Sequence, residues 1–265
     1  MHPQVPLSEP EAGVATVMLL PSYGYDNRVW GSFESLLSAG MRTVAVDYPG
    51  HAGHPPSPGP IDTVKSAEAA ATGISGELHV VASGDGAAGA VRLAERGRVR
   101  AMVLFSPSPQ DPPAEVVDGF DFDAVADAAV EDYGWALDAA SMTDPDERRR
   151  TIGRHQAETF AGVVPDDDLP RLRSMFEDNA DLLLDPAARA DAGLAWFAGL
   201  SQVTCPVLVV ATAHDGPLSI RTSEAVAQRL PRGDYVQLDP SFSAVPWLSR
   251  PAETARLVLD FLRRG

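Results

Sequence analysis

The chain has 265 residues, 45% of them apolar, and a formal charge of −16 from 21 basic and 37 acidic side chains. That balance argues against nucleic acid, whose phosphates need clustered Lys and Arg, and equally against an anionic membrane surface. Cys205 is the only cysteine, which excludes an intrachain disulfide and a cysteine-based metal site. Nothing near Met1 reads as a basic region followed by an apolar run, and no segment approaches the roughly 20 apolar residues of a membrane span. The expectation is a cytoplasmic protein built on one large α/β domain.

Short β-rich runs alternate with helical stretches, the pattern of a parallel sheet covered by helices. Residues 14–20 read as the first strand, 21–27 as a turn-rich loop, and 29–37 as a helix by the spacing of their apolar side chains. A second strand at 42–47 closes on Tyr48-Pro49-Gly50. A helix at 61–74 and a third strand at 78–82 follow, then a small-residue turn, Ser83-Gly84-Asp85-Gly86-Ala87, that opens a helix running to Arg96. Further strands are expected at 99–105, 207–211 and 235–238, and a last helix at 252–263.

Residues 108–200 differ in character. They show helical patches and no strand pattern, and hold 21 acidic against 7 basic side chains, nearly all of the net charge. A helical insertion between two strands reads as a cap (108–200) over the carboxyl edge of a sheet formed by 1–107 and 201–265, where such sheets bind ligands. Its charge fits a solvated acidic surface. Trp135, Phe160, Trp196 and Phe197 are expected to form the cap's own core, with Trp135 and Trp196 reaching the pocket. Asp166-Asp167-Asp168, after Pro165, reads as a helix cap.

Five segments, in order, resemble the α/β-hydrolase family over nearly the whole chain. Leu19-Leu20-Pro21-Ser22-Tyr23-Gly24, followed by Trp30, stands where that family has its oxyanion loop. Asp47-Tyr48-Pro49-Gly50-His51-Ala52-Gly53 is similar to its Asp-x-Pro-Gly-x-Gly turn, and residues 80–87 to its nucleophile elbow. Residues 206–211 with Asp215 and Pro217 resemble the strand that presents the catalytic acid. Residues 238–251 resemble the histidine loop. The resemblance implies a mostly parallel sheet flanked by helices with an inserted helical cap, and an active site at these loops.

Counting from Arg92-Leu93-Ala94, the resemblance puts the nucleophile position at Gly84. Counting back from Arg250-Pro251, it puts the base at Ala244. Neither residue can act, so of the triad only Asp215 remains. A one-residue shift would make Asp85 the nucleophile, as in dehalogenase-like members. His51 and His54 lack metal-ligand spacing and read as loop residues, while His214 lies beside Asp215. No metal and no organic cofactor is indicated.

What remains is a set of donors: the Asp85 amide, one from the Ser22-Tyr23 loop, and a helix N-terminus. These suit enolate chemistry, with Asp85, Ser22, Tyr23 and Asp215 as the catalytic candidates. Tyr25, Asp26, Ser83, Ser106, Trp135, Trp196, Val245 and Trp247 are expected around a peptide or other small-molecule substrate. The plan is similar to that of the triad-less bottromycin-peptide epimerases of this fold, which implies an epimerase or isomerase of natural-product biosynthesis. The alternatives are a lyase or cyclase, a hydrolase using another residue, and a ligand-binding protein without turnover.

Overall fold

Six strands form one fully parallel sheet in the computed structural model, which describes residues 15–56, 59–120, 135–184 and 195–265. They are β1 (Thr16–Leu20), β2 (Arg42–Ala45), β3 (Leu78–Ser83), β4 (Ala101–Phe105), β5 (Val207–Thr212) and β6 (Gly233–Leu238), in the spatial order β2-β1-β3-β4-β5-β6. The four inner strands are buried on both faces because helices cover both. Met18, Leu20, Val80, Ala82, Met102 and Leu104 join one core with α2 (Thr63–Thr72), α3 (Ala87–Glu95) and α6 (Pro217–Arg229). The alternate residues Val17, Leu19, Val81, Val103 and Phe105 join the other, with α1 (Gly31–Ser38) and α7 (Pro251–Leu262). Close approach of α2 and α3 depends on Gly89, where a Cβ would stand 2.7 Å from that of Ala67.

All six expected strands are present, with shifted ends. The second stops at Ala45 because Asp47 turns away to accept the Asn27 backbone N–H at 2.7 Å and its Nδ2 at 2.8 Å. Residue 14 lies outside the described residues. The helix expected at 29–37 is two pieces: a 3-10 turn, Asn27–Trp30, then α1, with the break at Gly31 where φ is +51°.

Between β4 and β5 the described residues form helices and turns without a strand. The main pieces are α4 (Pro145–Glu158) and α5 (Leu169–Asp178), which pack on each other. Asp144 caps α4, accepting the Asp146 and Glu147 amides. The aspartate run is itself a 3-10 turn, Asp166–Asp168, without a side-chain cap bond; Asp168 instead pairs with Arg171 at 2.6 Å. Trp196 corrects a second expectation. It is fully buried in the core beneath α3, with Leu200 and Val203, and not in a separate cap core. Phe197 packs partly on the same core, whereas Phe160 stacks on Phe176 in the opposite one.

Candidate active site

The strand order puts β3 in the middle, so the loops leaving β1, β3 and β4 converge at the carboxyl edge. The β3–α3 turn is tight. Ser83 is extended (φ −123°), Gly84 is left-handed (φ +49°), and Gly86 is already helical. A Cβ at Gly86 would stand 2.5 Å from the Leu20 carbonyl oxygen, so the turn can press on β1 only with glycine there. The left-handed position is Gly84 and not Asp85.

The space above Gly84 is occupied from the neighbouring loop. A Cβ on Gly84 would lie 2.5 Å from Ser22 Oγ. That hydroxyl in turn accepts the Asp85 backbone N–H at 3.5 Å, the long end of a hydrogen bond. The Ser22 amide, a candidate for the one donor expected from the Ser22-Tyr23 loop, is turned elsewhere: it donates to the buried Ser83 Oγ at 3.1 Å. Ser22 therefore contributes its hydroxyl to this place and not its N–H.

Ser22, Tyr23, Tyr25, Asp85 and Trp135 line a cleft of about 660 Å³, whose other wall includes Gln156, Phe176 and Leu183. Asp85 is only 4% exposed. The Tyr23 hydroxyl donates to the Leu182 carbonyl at 2.6 Å, which makes the ring a strut between the β1 loop and the insertion. A second cleft of about 570 Å³ shares Tyr25 with the first in its lining and runs over Ala244 and Val245, with Phe160, Val163 and Phe242.

The remaining expected site residues serve elsewhere. Asp26 has no exposed surface: it caps the Asn27–Trp30 turn through the Arg28 N–H and holds the Arg28 guanidinium at 2.6 Å and 3.0 Å. This pairing raises the Arg28 pKa further above its ordinary value, against the opposing effect of burial. Trp247 packs against Trp30 and Phe105 and donates from Nε1 to the Val29 carbonyl. Ser106, in a left-handed conformation (φ +42°), donates to Asp215 Oδ2 at 2.7 Å, and the Thr212 N–H donates to the same oxygen. Asp215 is thus held by a hydroxyl and an amide, where the family's plan would give it an imidazole.

The histidines have other partners. His51 lies in a loop, as expected, and is fully buried there; its Nε2 accepts the Gly24 N–H at 3.2 Å, and Nδ1 faces the Pro49 carbonyl at 3.3 Å. Burial holds its pKa below the usual imidazole range, and the neutral ring is the form able to accept from Gly24. His214 Nε2 contacts the Pro240 carbonyl, and His155 stacks on Trp135. Among the described residues, no group of three or more His, Cys, Asp or Glu could hold a metal ion, and no helix is long and apolar enough to cross a membrane.

Sequence reasoning missed Asn179. Fully buried, it donates to the Gly24 carbonyl and to Asp26 Oδ2 and accepts the Ala52 N–H. Nothing in its local sequence marks it, since all three partners lie more than a hundred residues away.

The model of the alpha/beta hydrolase family matches residues 17–257. A pimeloyl-(acyl-carrier protein) methyl ester esterase of Aromatoleum aromaticum is 27% identical over 264 residues, covering 93% of this chain and 98% of that one. An esterase from a Rhodococcus species superposes with a TM-score of 0.70 at 19% identity, over 96% of this chain and 92% of that one. The enol-lactonase from Burkholderia xenovorans gives 0.65 at 17% identity, over 95% and 92%. The expectation of a peptide epimerase in natural-product biosynthesis draws no support from these relatives.

Proposed function

The chain belongs to the alpha/beta hydrolase family, and from that premise we propose that it acts on a carbonyl compound without forming an acyl-enzyme at the elbow, as an isomerase or epimerase working through an enolate. The observation that carries this reading is the pairing at the turn. Gly84 offers no nucleophile, while the next residue, Asp85, is almost fully buried and lines the cleft. In the proposed reaction the Asp85 carboxylate takes the proton from the carbon next to the carbonyl, and the C–H electron pair becomes the C=C bond of the enolate. The charge on the enolate oxygen is met by the Asp85 N–H and the Ser22 O–H, the substrate oxygen taking over the long Ser22–Asp85 contact. Delivery of a proton to the opposite face of the planar enolate gives the epimer, or to a different carbon the isomer, and restores the Asp85 carboxylate. No covalent bond to the protein forms.

The test is incubation of the protein in deuterium oxide with a panel of α-chiral esters, thioesters and amides, followed by NMR. Exchange of the α-proton is expected, falling at least a hundredfold in Asp85→Asn and less in Ser22→Ala. Release of acid and alcohol without exchange would overturn the reading.

The Aromatoleum relative favours a second reading, ester hydrolysis, in which the Ser22 hydroxyl stands in for the absent elbow side chain. A fluorophosphonate separates the two: covalent labelling of Ser22 would support hydrolysis, and a protein that exchanges α-protons yet resists labelling supports the enolate route.

A further inference from the structure

We propose that the second cleft binds an uncharged alkyl or aryl arm of the substrate, reaching it across Tyr25 from a carbonyl group seated over Gly84. The inference rests on the reading of the first cleft as a carbonyl site. The histidine loop carries Ala244 at the position where the family resemblance puts the base, and this exposed alanine borders the cleft instead of filling it. The cleft is a place for an arm because it adjoins the first one, with Tyr25 lining both.

The chemistry of the lining selects the arm. In a chain of charge −16, the described residues around this cleft include no Asp, Glu, Lys or Arg. Their polar groups are hydroxyls and His214, and the rest are Phe160, Val163, Phe242, Val245 and similar apolar surfaces. A carboxylate or ammonium would lose its hydration there without a partner. Among the described residues the large hydrophobics left exposed are Leu36, Leu137 and Val163. Leu137 lines the first cleft and Val163, 39% exposed, the second. Two of these three surfaces would therefore be covered by one ligand spanning both clefts, and covering them is what favours its binding. The volume, about 570 Å³, is in the range of small-molecule sites.

The experiment uses N-butyl-, N-hexyl- and N-octylacetamide as non-reacting probes, titrated into isotope-labelled protein and followed by amide chemical shifts. Affinity is expected to rise about three- to fourfold for each methylene that becomes buried. The chain-length-dependent shifts should fall on 159–163 and 241–245. A chain of the same length ending in a carboxylate should lose the gain. Ala244→Trp, which fills the cleft, and Val163→Asp, which charges it, should erase the length dependence while both variants keep the parent's melting temperature within a few degrees. Affinity independent of chain length, tail shifts elsewhere on the protein, or a gain that survives Ala244→Trp would overturn the proposal. The acetamide head reports separately on the carbonyl site. If tail shifts appear as expected but the Asp85 and Gly86 amides do not move, the subsite stands and the carbonyl reading fails.

Discussion

At the β3–α3 turn Gly84 carries no side chain, and the Ser22 hydroxyl of the neighbouring loop occupies the space above it. The two positions should therefore be coupled. Gly84→Ala places a Cβ in a left-handed conformation, at about 1–2 kcal/mol, and drives it against Ser22 Oγ. Adding Ser22→Gly removes only the second cost. Urea unfolding of the two single variants and the double should give a coupling of roughly 1 kcal/mol in favour of the double; strict additivity would mean that Ser22 is free to move aside. Ala52 presents the opposite case. It stands where the related turn ends in glycine and has φ +49°, between Gly50 and Gly53, which are also left-handed. Ala52→Gly should relieve strain by about 1 kcal/mol, partly offset by the greater freedom of glycine in the unfolded chain. A small rise in melting temperature is the expected result. Gly84 itself was legible in the sequence from its distance to Arg92-Leu93-Ala94. The Ser22 hydroxyl was not, because two loops sixty residues apart have to meet before its position has meaning.

The β1 loop and α5 are held together by one polar cluster around the buried Asp26 and Asn179. Asp26 joins Arg28 and Asn179, Arg28 continues to Asp178 at 2.7 Å, and Arg171 donates to the Arg28 carbonyl. These contacts decide how the insertion sits on the sheet, and so the shape of the cleft that Tyr23, Phe176 and Leu183 share. Removing the members should have unequal effects. Asp178 is half-exposed, and its pair with Arg28 is worth less than about 1 kcal/mol. Arg28→Ala leaves Asp26 buried without its cation and should cost about 2–3 kcal/mol, less than a fully buried pair because Arg28 keeps a quarter of its surface in water. Asn179→Ala unpairs the Gly24 carbonyl and the Ala52 N–H together, at about 1–3 kcal/mol for each buried group left unsatisfied. Hydrogen exchange at Ala52 and along α5 should accelerate in Asn179→Ala and remain near the parent's rate in Asp178→Ala. Asp26 was expected beside the substrate because it follows the two cleft tyrosines; its φ of −122° and its cap bond turn it inward instead.

For the molecule as a whole, the buried histidines set the response to mild acid. Burial lowers the pKa of both His51 and His79 in the folded state. The unfolded chain then binds more protons than the folded one once pH falls below about 6.5, the unperturbed value, and stability is lost on going further down until the folded rings also protonate. Each ring can contribute a slope of up to about 1.4 kcal/mol per pH unit. Glu34 and Asp47 oppose this only in the carboxylate range, where protonation relieves their raised values. Urea midpoints should fall between neutral pH and the lower end of the histidine window, and His51→Gln, which can still accept from Gly24, should flatten part of that slope. The strands, their alternation and the order of the five motifs were determined by the sequence alone, since period and turn chemistry are local and each strand carries its own apolar pattern. So were the absent side chains at Gly84 and Ala244. Only the tertiary structure decided that Trp196 lies under α3, that Asp26 is spent on Arg28 and Asn179, that Ser106 and the Thr212 amide hold Asp215, and that Tyr25 lines both clefts. Each of these depends on which distant groups are brought within hydrogen-bond or van der Waals range, and a buried polar residue takes whatever partner the packing puts beside it.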